Sequence, residues 1–245
     1  MSFTSSRHER IGRKGFTSRH PAVPVALSFC SGFVDVICFL GLFHSFTAFI
    51  TGTIIILCSE LFQFDSLLWL RAVILSTFFL SALVWVPFVK HLVKTGRPAV
   101  RLCLGLESLF LGLFLAAAVT LPVTSELLSP GTTLALIFAT VAMSLQNVAM
   151  QIVLQFHTPT TVMTGNFMRF VVTTIERFGA RHAAGPGGSG DNRAAEPGGQ
   201  AHYGYSLVAF MAGGVAGAGC HITIGFWGLL APVLMLAALA IATRD

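Results

Sequence analysis

Six long apolar runs alternate with charged or Gly/Pro-rich breaks along the chain. They cover residues 22–43, 67–89, 100–122, 131–156, 203–221 and 223–242. Each run has about 20 residues, the length that an α-helix needs to cross the roughly 30 Å hydrocarbon core of a bilayer. The pattern therefore predicts an all-α polytopic membrane protein with about six full transmembrane helices.

Two further runs, residues 45–59 and 158–175, are short or polar, and each contains a Thr-Gly pair. Both are predicted to be broken or re-entrant helical segments. Residues 183–202 are Gly-rich and lack apolar periodicity, which predicts a flexible loop. In the run 203–221 we expect four glycines to let helix backbones approach closely: Gly213, Gly214, Gly217 and Gly219.

The two halves of the chain carry similar residues in the same order. The first half has Gly32-Phe-Val-Asp35, Phe43-His44 and Thr51-Gly52-Thr53, and the second has Ser144-Leu-Gln-Asn147, Phe156-His157 and Thr164-Gly165-Asn166. The offset is 112 residues at Asp35 and Asn147 and 113 from Phe43 onward. This order predicts one membrane domain, residues 22–242, built from two repeats at about 22–122 and 131–242.

Charge excludes a water-soluble globule and suggests a topology. Hydrophobic residues make up 54% of the 245 positions and charged residues only 10%, against about 25% charged in ordinary soluble domains. If all eight runs crossed the membrane, the basic cluster at 90–101 would lie opposite the basic tail 1–21, against the positive-inside bias. Six spans place both on the side that we expect to be cytoplasmic, and three spans per repeat make the repeat inverted.

Two alternatives stay open from the sequence alone. An eight-helix bundle with parallel repeats remains compatible with the runs. The Ser- and Arg-rich tail, residues 1–21, also has the composition of a transit peptide, so a eukaryotic source would favour an organelle membrane. The net charge of +5 is concentrated beside apolar runs, which favours a bilayer and not a nucleic acid as its partner.

The ordered motifs Gly32-Phe-Val-Asp35 with Thr51-Gly52, and Ser144-Leu-Gln-Asn147 with Thr164-Gly165-Asn166, resemble the YoaK-like family. This family comprises bacterial and fungal integral membrane proteins with a domain of unknown function. The resemblance covers roughly residues 22–242 and implies the fold and location without a substrate. Thr53 departs from the usual Thr-Gly-Asn of the first family motif, and Asn166 restores it in the second copy.

Asp35 is the leading candidate for a substrate or ion site, because a carboxylate inside an apolar span must face a polar partner or cavity or carry a proton. Asn147 occupies the equivalent place, with Gln146 beside it, and both amides supply neutral donors and acceptors. The alternative for all three is simple hydrogen bonding between helices.

The Thr-Gly motifs, Thr51, Gly52 and Thr53 with Thr164, Gly165 and Asn166, suit helix interruptions whose free N–H groups bind an anion or polar ligand, or plain helix caps. His44 and His157 precede them as candidate proton relays or interfacial side chains. Arg169 is placed to attract an anion or to pair with Asp35.

Motifs of enzymes, metal sites and cofactor sites are missing from the sequence. We therefore expect no enzyme activity and no cofactor. The leading hypothesis is a secondary transporter of a small polar or anionic solute, with proton coupling as an option. The alternatives are a non-transporting membrane protein that binds lipid or a protein partner, and a passive channel. An oligomer is compatible with each of them.

Overall fold

The computed structural model describes residues 22–62, 67–124, 129–154, 165, 167–175 and 199–243. Regular structure in these ranges is helical throughout. The helices are α1 Ala22–Gly41, α2 Ile50–Leu61, α3 Leu68–Lys94, α4 Ala99–Thr120, α5 Pro130–Ile152, α6 at residues 167–175, α7 Gly199–Ile224 and α8 Leu230–Ala242. A short 3-10 helix, Gly225–Leu229, joins α7 to α8.

The apolar runs form the membrane-spanning helices that the sequence predicts. Four helices, α1, α3, α4 and α5, are each long and apolar enough to cross a bilayer. A fifth stretch, Gly204–Ala242, has 39 residues and covers the last two predicted runs except for residue 203. Gly225 divides it, because its φ of +61° lies in the left-handed region that ends a helix. The polytopic helical membrane fold is confirmed.

The bundle is held by close contact between α1 and α7, with α5 packed on α3 and α4, and α8 on α4. A Cβ at Gly213 would overlap the carbonyl oxygen of Phe29, and one at Gly217 would lie 2.7 Å from another α1 carbonyl oxygen. The prediction of close approach is confirmed at these two positions. It is wrong at Gly219, where an added Cβ would meet no atom of another helix within 4 Å, while a Cβ at Gly214 would make an ordinary contact.

The order of the contacts sets the direction of the helices. Gly213 and then Gly217 lie against successive turns of α1, so α1 and α7 are parallel. The Ser108 hydroxyl donates to the carbonyl oxygen of Val233 at 2.9 Å, and Arg101 and Ile241 line one groove, so α4 and α8 are antiparallel. The start of α4 and the end of α8 therefore share one end of the bundle.

The break in the first short run falls earlier than predicted. The Thr-Gly pair does not interrupt a helix, because α2 begins at Ile50 and contains the pair in its first turn. The interruption is residues 42–49, where Phe43 and His44 have φ values of 53° and 57°. Left-handed backbone is costly in non-glycine residues and persists only where surrounding contacts fix it. Those contacts come from α1 and α3, as described below.

Candidate functional site

Asp35 lies on α1 and is 3% exposed. Its Oδ1 accepts hydrogen bonds from the backbone N–H groups of Thr47 at 2.8 Å and Ala48 at 2.7 Å, and its Oδ2 accepts one from Phe49 at 2.8 Å. The Thr47 hydroxyl lies 3.3 Å from Oδ1. The carboxylate thus binds three consecutive N–H groups at the entrance of α2.

Three consecutive N–H groups that converge on one point form an anion-binding nest. The sequence predicted ligand-binding N–H groups at the Thr-Gly motif, residues 51–53. The converging N–H groups lie instead at residues 47–49, and they donate to the carboxylate of Asp35. Because Phe49, the residue before α2, makes no side-chain cap, Asp35 supplies the anion that this helix start favours. The side chain anchors the α1–α2 loop to the middle of α1.

The three residues of the first Thr-Gly motif have different surroundings. Thr53 is fully buried, and its hydroxyl donates to the carbonyl oxygen of Phe46 at 2.7 Å. Gly52 is buried beside the ring of Phe49, which a Cβ at this position would overlap. Thr51 is exposed. The motif therefore packs the first turn of α2 against its own loop.

A second set of polar contacts holds the same loop from α3. Arg71 is 1% exposed, and its guanidinium donates to Ser45 Oγ at 2.6 Å, to the carbonyl oxygen of Phe43 at 2.7 Å and to Glu60 Oε1 at 3.1 Å. Glu60 lies near the end of α2. One arginine thus joins the start of the loop, the end of α2 and the start of α3.

These contacts fix how α2 sits in the bundle. Its 12 residues rise about 18 Å, too little to cross the roughly 30 Å core. The start of α3 meets the loop that follows α1, through Arg71 and Phe43. The chain therefore leaves α1 and enters α3 at the same end of the bundle, and α2 makes no net crossing.

A separate group of polar side chains lies in the bundle centre, between α1, α4 and α5. The amide of Gln146 is 1% exposed and donates to Ser31 Oγ at 2.7 Å and to the carbonyl oxygen of Leu27 at 2.9 Å. One residue before Ser31, the thiol of Cys30 lies 3.8 Å from Glu107 Oε1. The group offers neutral hydrogen-bonding atoms beside one carboxyl group.

The remaining candidates are more scattered. Asn147 is half-buried, and its amide donates to the carbonyl oxygen of Met143 in its own helix at 2.9 Å. His44 and Arg169 are exposed, and the His44 ring meets the ring of Phe39 edge-on. Gly165 is helical and half-buried. Three candidates lie outside the described residues: His157, Thr164 and Asn166.

Sequence reasoning missed Arg71 and Glu60, the buried ion pair of this site. Each lies near an end of its apolar run, where a charged side chain usually lies at the membrane interface and is not expected to be buried. The signal that could have found them is their opposite sign on the two segments flanking one short loop. Among the described residues, no group of three or more His, Cys, Asp or Glu side chains could hold a metal ion.

The apolar spans, the non-crossing α2 and the buried polar contacts define a multi-pass helical membrane protein. A family model described as "Protein of unknown function (DUF1275)" matches residues 23–242, and the chain belongs to this family. The resemblance to the YoaK-like family is thereby confirmed. Neither the curated proteins nor the solved structures contain a match to the chain.

Proposed function

We propose that this protein is a secondary transporter of a small polar or anionic solute, coupled to protons, with its site in the polar centre between α1, α4 and α5. The observation that carries the proposal is the non-crossing helix α2, held in the bundle by Asp35 and Arg71. Discontinuous helices beside a polar centre near the bilayer midplane recur in transporters.

Matching contacts in the two halves support the inverted repeat. Gly32, in the first half, meets the carbonyl oxygen of Phe210 on α7. Ser144, its equivalent 112 residues later, donates to the carbonyl oxygen of Phe78 on α3 at 3.2 Å. In the proposed repeat α3 and α7 are themselves equivalent. The α1–α7 and α5–α3 pairs are then two copies of one packing unit.

The solute-facing atoms in this proposal are those of Gln146 and Ser31 in the polar centre. Asn147, the next residue on α5, adds a half-buried amide. Amide and hydroxyl groups recognise polar solutes without demanding a fixed charge. Arg169, exposed on α6, gives an anionic solute a further point of attraction. Asp35 serves the site indirectly, because it fixes the loop that precedes α2.

Reconstitution tests the function. The purified protein is placed in phosphatidylethanolamine–phosphatidylglycerol vesicles, and uptake of radiolabelled phosphate, acetate, glutamate and glycerol is measured with and without a pH gradient. We expect saturable uptake of at least one probe above protein-free vesicles, and stimulation by the gradient. Folded protein that moves none of them contradicts the proposal, and non-saturating conductance in planar bilayers would indicate a channel instead.

Site-directed labelling tests the topology. We propose that the end carrying the α3–α4 loop is cytoplasmic, because its four basic residues are all exposed: Lys90, Lys94, Arg97 and Arg101. In a background without the five native cysteines, a membrane-impermeant maleimide should reach cysteines at positions 95 and 190 from one side and a cysteine at position 44 from the other. Labelling of 95 and 190 from opposite sides would overturn the inverted repeat.

A groove favours lipid binding as a second candidate function. It lies between α4 and α8, has a volume of about 420 Å³, and is lined on the α4 side by Leu102, Gly105 and Leu106 together with Arg101. An acyl chain suits the apolar walls, and the guanidinium complements an anionic headgroup. Retention of phosphatidylglycerol by the wild type, but not by Arg101→Gln, in native mass spectrometry would support this candidate. Equal retention of phosphatidylglycerol by the wild type and Arg101→Gln would contradict lipid binding in this groove.

A further inference from the structure

Glu107 is a buried carboxyl group that the anchoring contacts of α2 do not use. It is the ninth residue of α4, which places it about 12 Å along the helix axis from its start. The side chain is 2% exposed and points into the bundle, where Oε1 lies 3.8 Å from the thiol of Cys30. Its carboxyl group therefore faces the polar centre and not the headgroups.

Among the described residues, Glu107 differs from the other two buried carboxyl groups in the partners that stabilise a negative charge. Asp35 accepts hydrogen bonds from three backbone N–H groups, and Glu60 pairs with Arg71 at 3.1 Å. Glu107 has the Cys30 thiol, which is only a weak donor. In the part of the chain that the structure describes, Arg71–Glu60 is the one ion pair.

The elements around α4 bring little charge to Glu107. The sequence of α5 and the stretch 225–242 contain no titratable residue. On α1 the nearest acidic residue is Asp35, five positions beyond Cys30 and hydrogen-bonded to the loop. The basic and imidazole groups of α3 lie near its two ends: Arg71, Lys90, His91 and Lys94. An isolated carboxylate in such surroundings is costly, and protonation removes that cost.

We propose that Glu107, and not Asp35, binds and releases the coupling proton of the transport cycle. This inference rests on the proposed function. Cys30 and Ser31 are adjacent on α1, and they contact Glu107 and the Gln146 amide respectively. The proton site and the solute-binding atoms therefore meet on one turn of α1, so that a solute bound at the amides changes the surroundings of the carboxyl group.

Infrared spectroscopy tests the protonation without any solute. In reconstituted protein, the carbonyl stretch of a protonated carboxyl group should be present near neutral pH, disappear in Glu107→Gln and persist in the matched control Glu60→Gln. Asp35→Asn should also leave this band in place. A band that survives Glu107→Gln, or no such band in the wild type, would overturn the inference whatever the protein transports.

Transport assays test the coupling. With the probe that the wild type moves, a gradient of one pH unit supports about tenfold accumulation for one coupled proton. Glu107→Gln should lower this ratio to about 1, while equilibration of the labelled probe across the membrane stays measurable. Glu107→Asp keeps a carboxyl group and should restore part of the accumulation. If Glu107→Gln does not fold, the partial accumulation of Glu107→Asp still tests the coupling role.

The outcomes separate the two proposals. Accumulation in Glu107→Gln equal to that of the wild type would refute the coupling role and leave transport standing. A wild type that moves no probe would refute the proposed function, and the infrared band would still report whether Glu107 carries a proton. Loss of accumulation in Asp35→Asn with Glu107→Gln unaffected would return the coupling role to Asp35.

Discussion

Removing the Asp35 carboxylate should release the loop before α2 and lower the stability of the whole protein. Asp35→Ala leaves three N–H groups without their acceptor, those of Thr47, Ala48 and Phe49. Each unpaired buried donor costs at least about 1 kcal/mol, and the space left by the carboxylate adds about 1 kcal/mol. We therefore expect Asp35→Ala to lower the free energy of unfolding by about 4 kcal/mol.

Asp35→Asn removes the negative charge of the side chain and keeps its size and shape. The amide keeps one oxygen for Thr47 and Ala48, but its NH₂ group meets the N–H of Phe49, which loses its acceptor. The two remaining bonds lose their charge assistance, which is roughly half of their strength. Release of the buried charge recovers part of this loss. The expected decrease is about 2 kcal/mol, half that of the alanine variant.

The assay is reversible unfolding in mixed micelles, followed by tryptophan fluorescence as denaturing detergent replaces the mild one. Ser28→Ala is the matched control, because this buried hydroxyl on α1 donates to the carbonyl oxygen of Pro24 in the same helix, and we expect it to cost about 1 kcal/mol or less. An Asp35→Ala variant as stable as this control would refute the anchoring argument. Impermeant labelling of a cysteine at position 47 should also rise in the alanine variant.

Two further predictions concern packing and charge. Gly213→Ala should destabilise the α1–α7 contact by about 2 kcal/mol, because the added methyl group overlaps a backbone carbonyl, whereas Gly219→Ala, in open space, should be neutral or stabilising in thermal unfolding. Arg71→Leu should cost about 3–5 kcal/mol by leaving Glu60 buried without its cation. The double variant Arg71→Leu with Glu60→Leu should regain most of that loss. If the stability costs of the two single variants simply add up in the double variant, the pairing of Arg71 with Glu60 is contradicted.

The helices were predictable from the sequence because their signal is local. Twenty consecutive apolar residues suffice to indicate a span, and Gly213 and Gly217 indicated close packing without knowledge of the partner. The pattern of small residues led to a wrong prediction at Gly219. Small residues repeat along α7, but only some of them lie on the face of α7 that contacts α1. The sequence gives the spacing of small residues along a helix, but it does not show which residues of another helix lie against them.

The site depended on contacts that spacing does not reveal. Asp35 was singled out correctly as a buried carboxyl group, but its partners are backbone N–H groups, which every residue except proline has. The position of Glu107 in the sequence of α4 does not distinguish a side chain that faces the bundle from one that reaches the headgroups. The contact of its carboxyl group with the Cys30 thiol on α1, at 3.8 Å, shows that the side chain faces the bundle.

The pairing of α1 with α7 also has a consequence for biogenesis. During synthesis α1 enters the membrane first, yet the helix that covers its glycine and carbonyl face begins at Gly199. Until most of the chain has been inserted, that face is open to lipid or to other nascent helices. Such long sequence separation slows assembly and exposes intermediates to wrong partners. Truncation before α7 should therefore yield an inserted chain that is a substrate for membrane quality control.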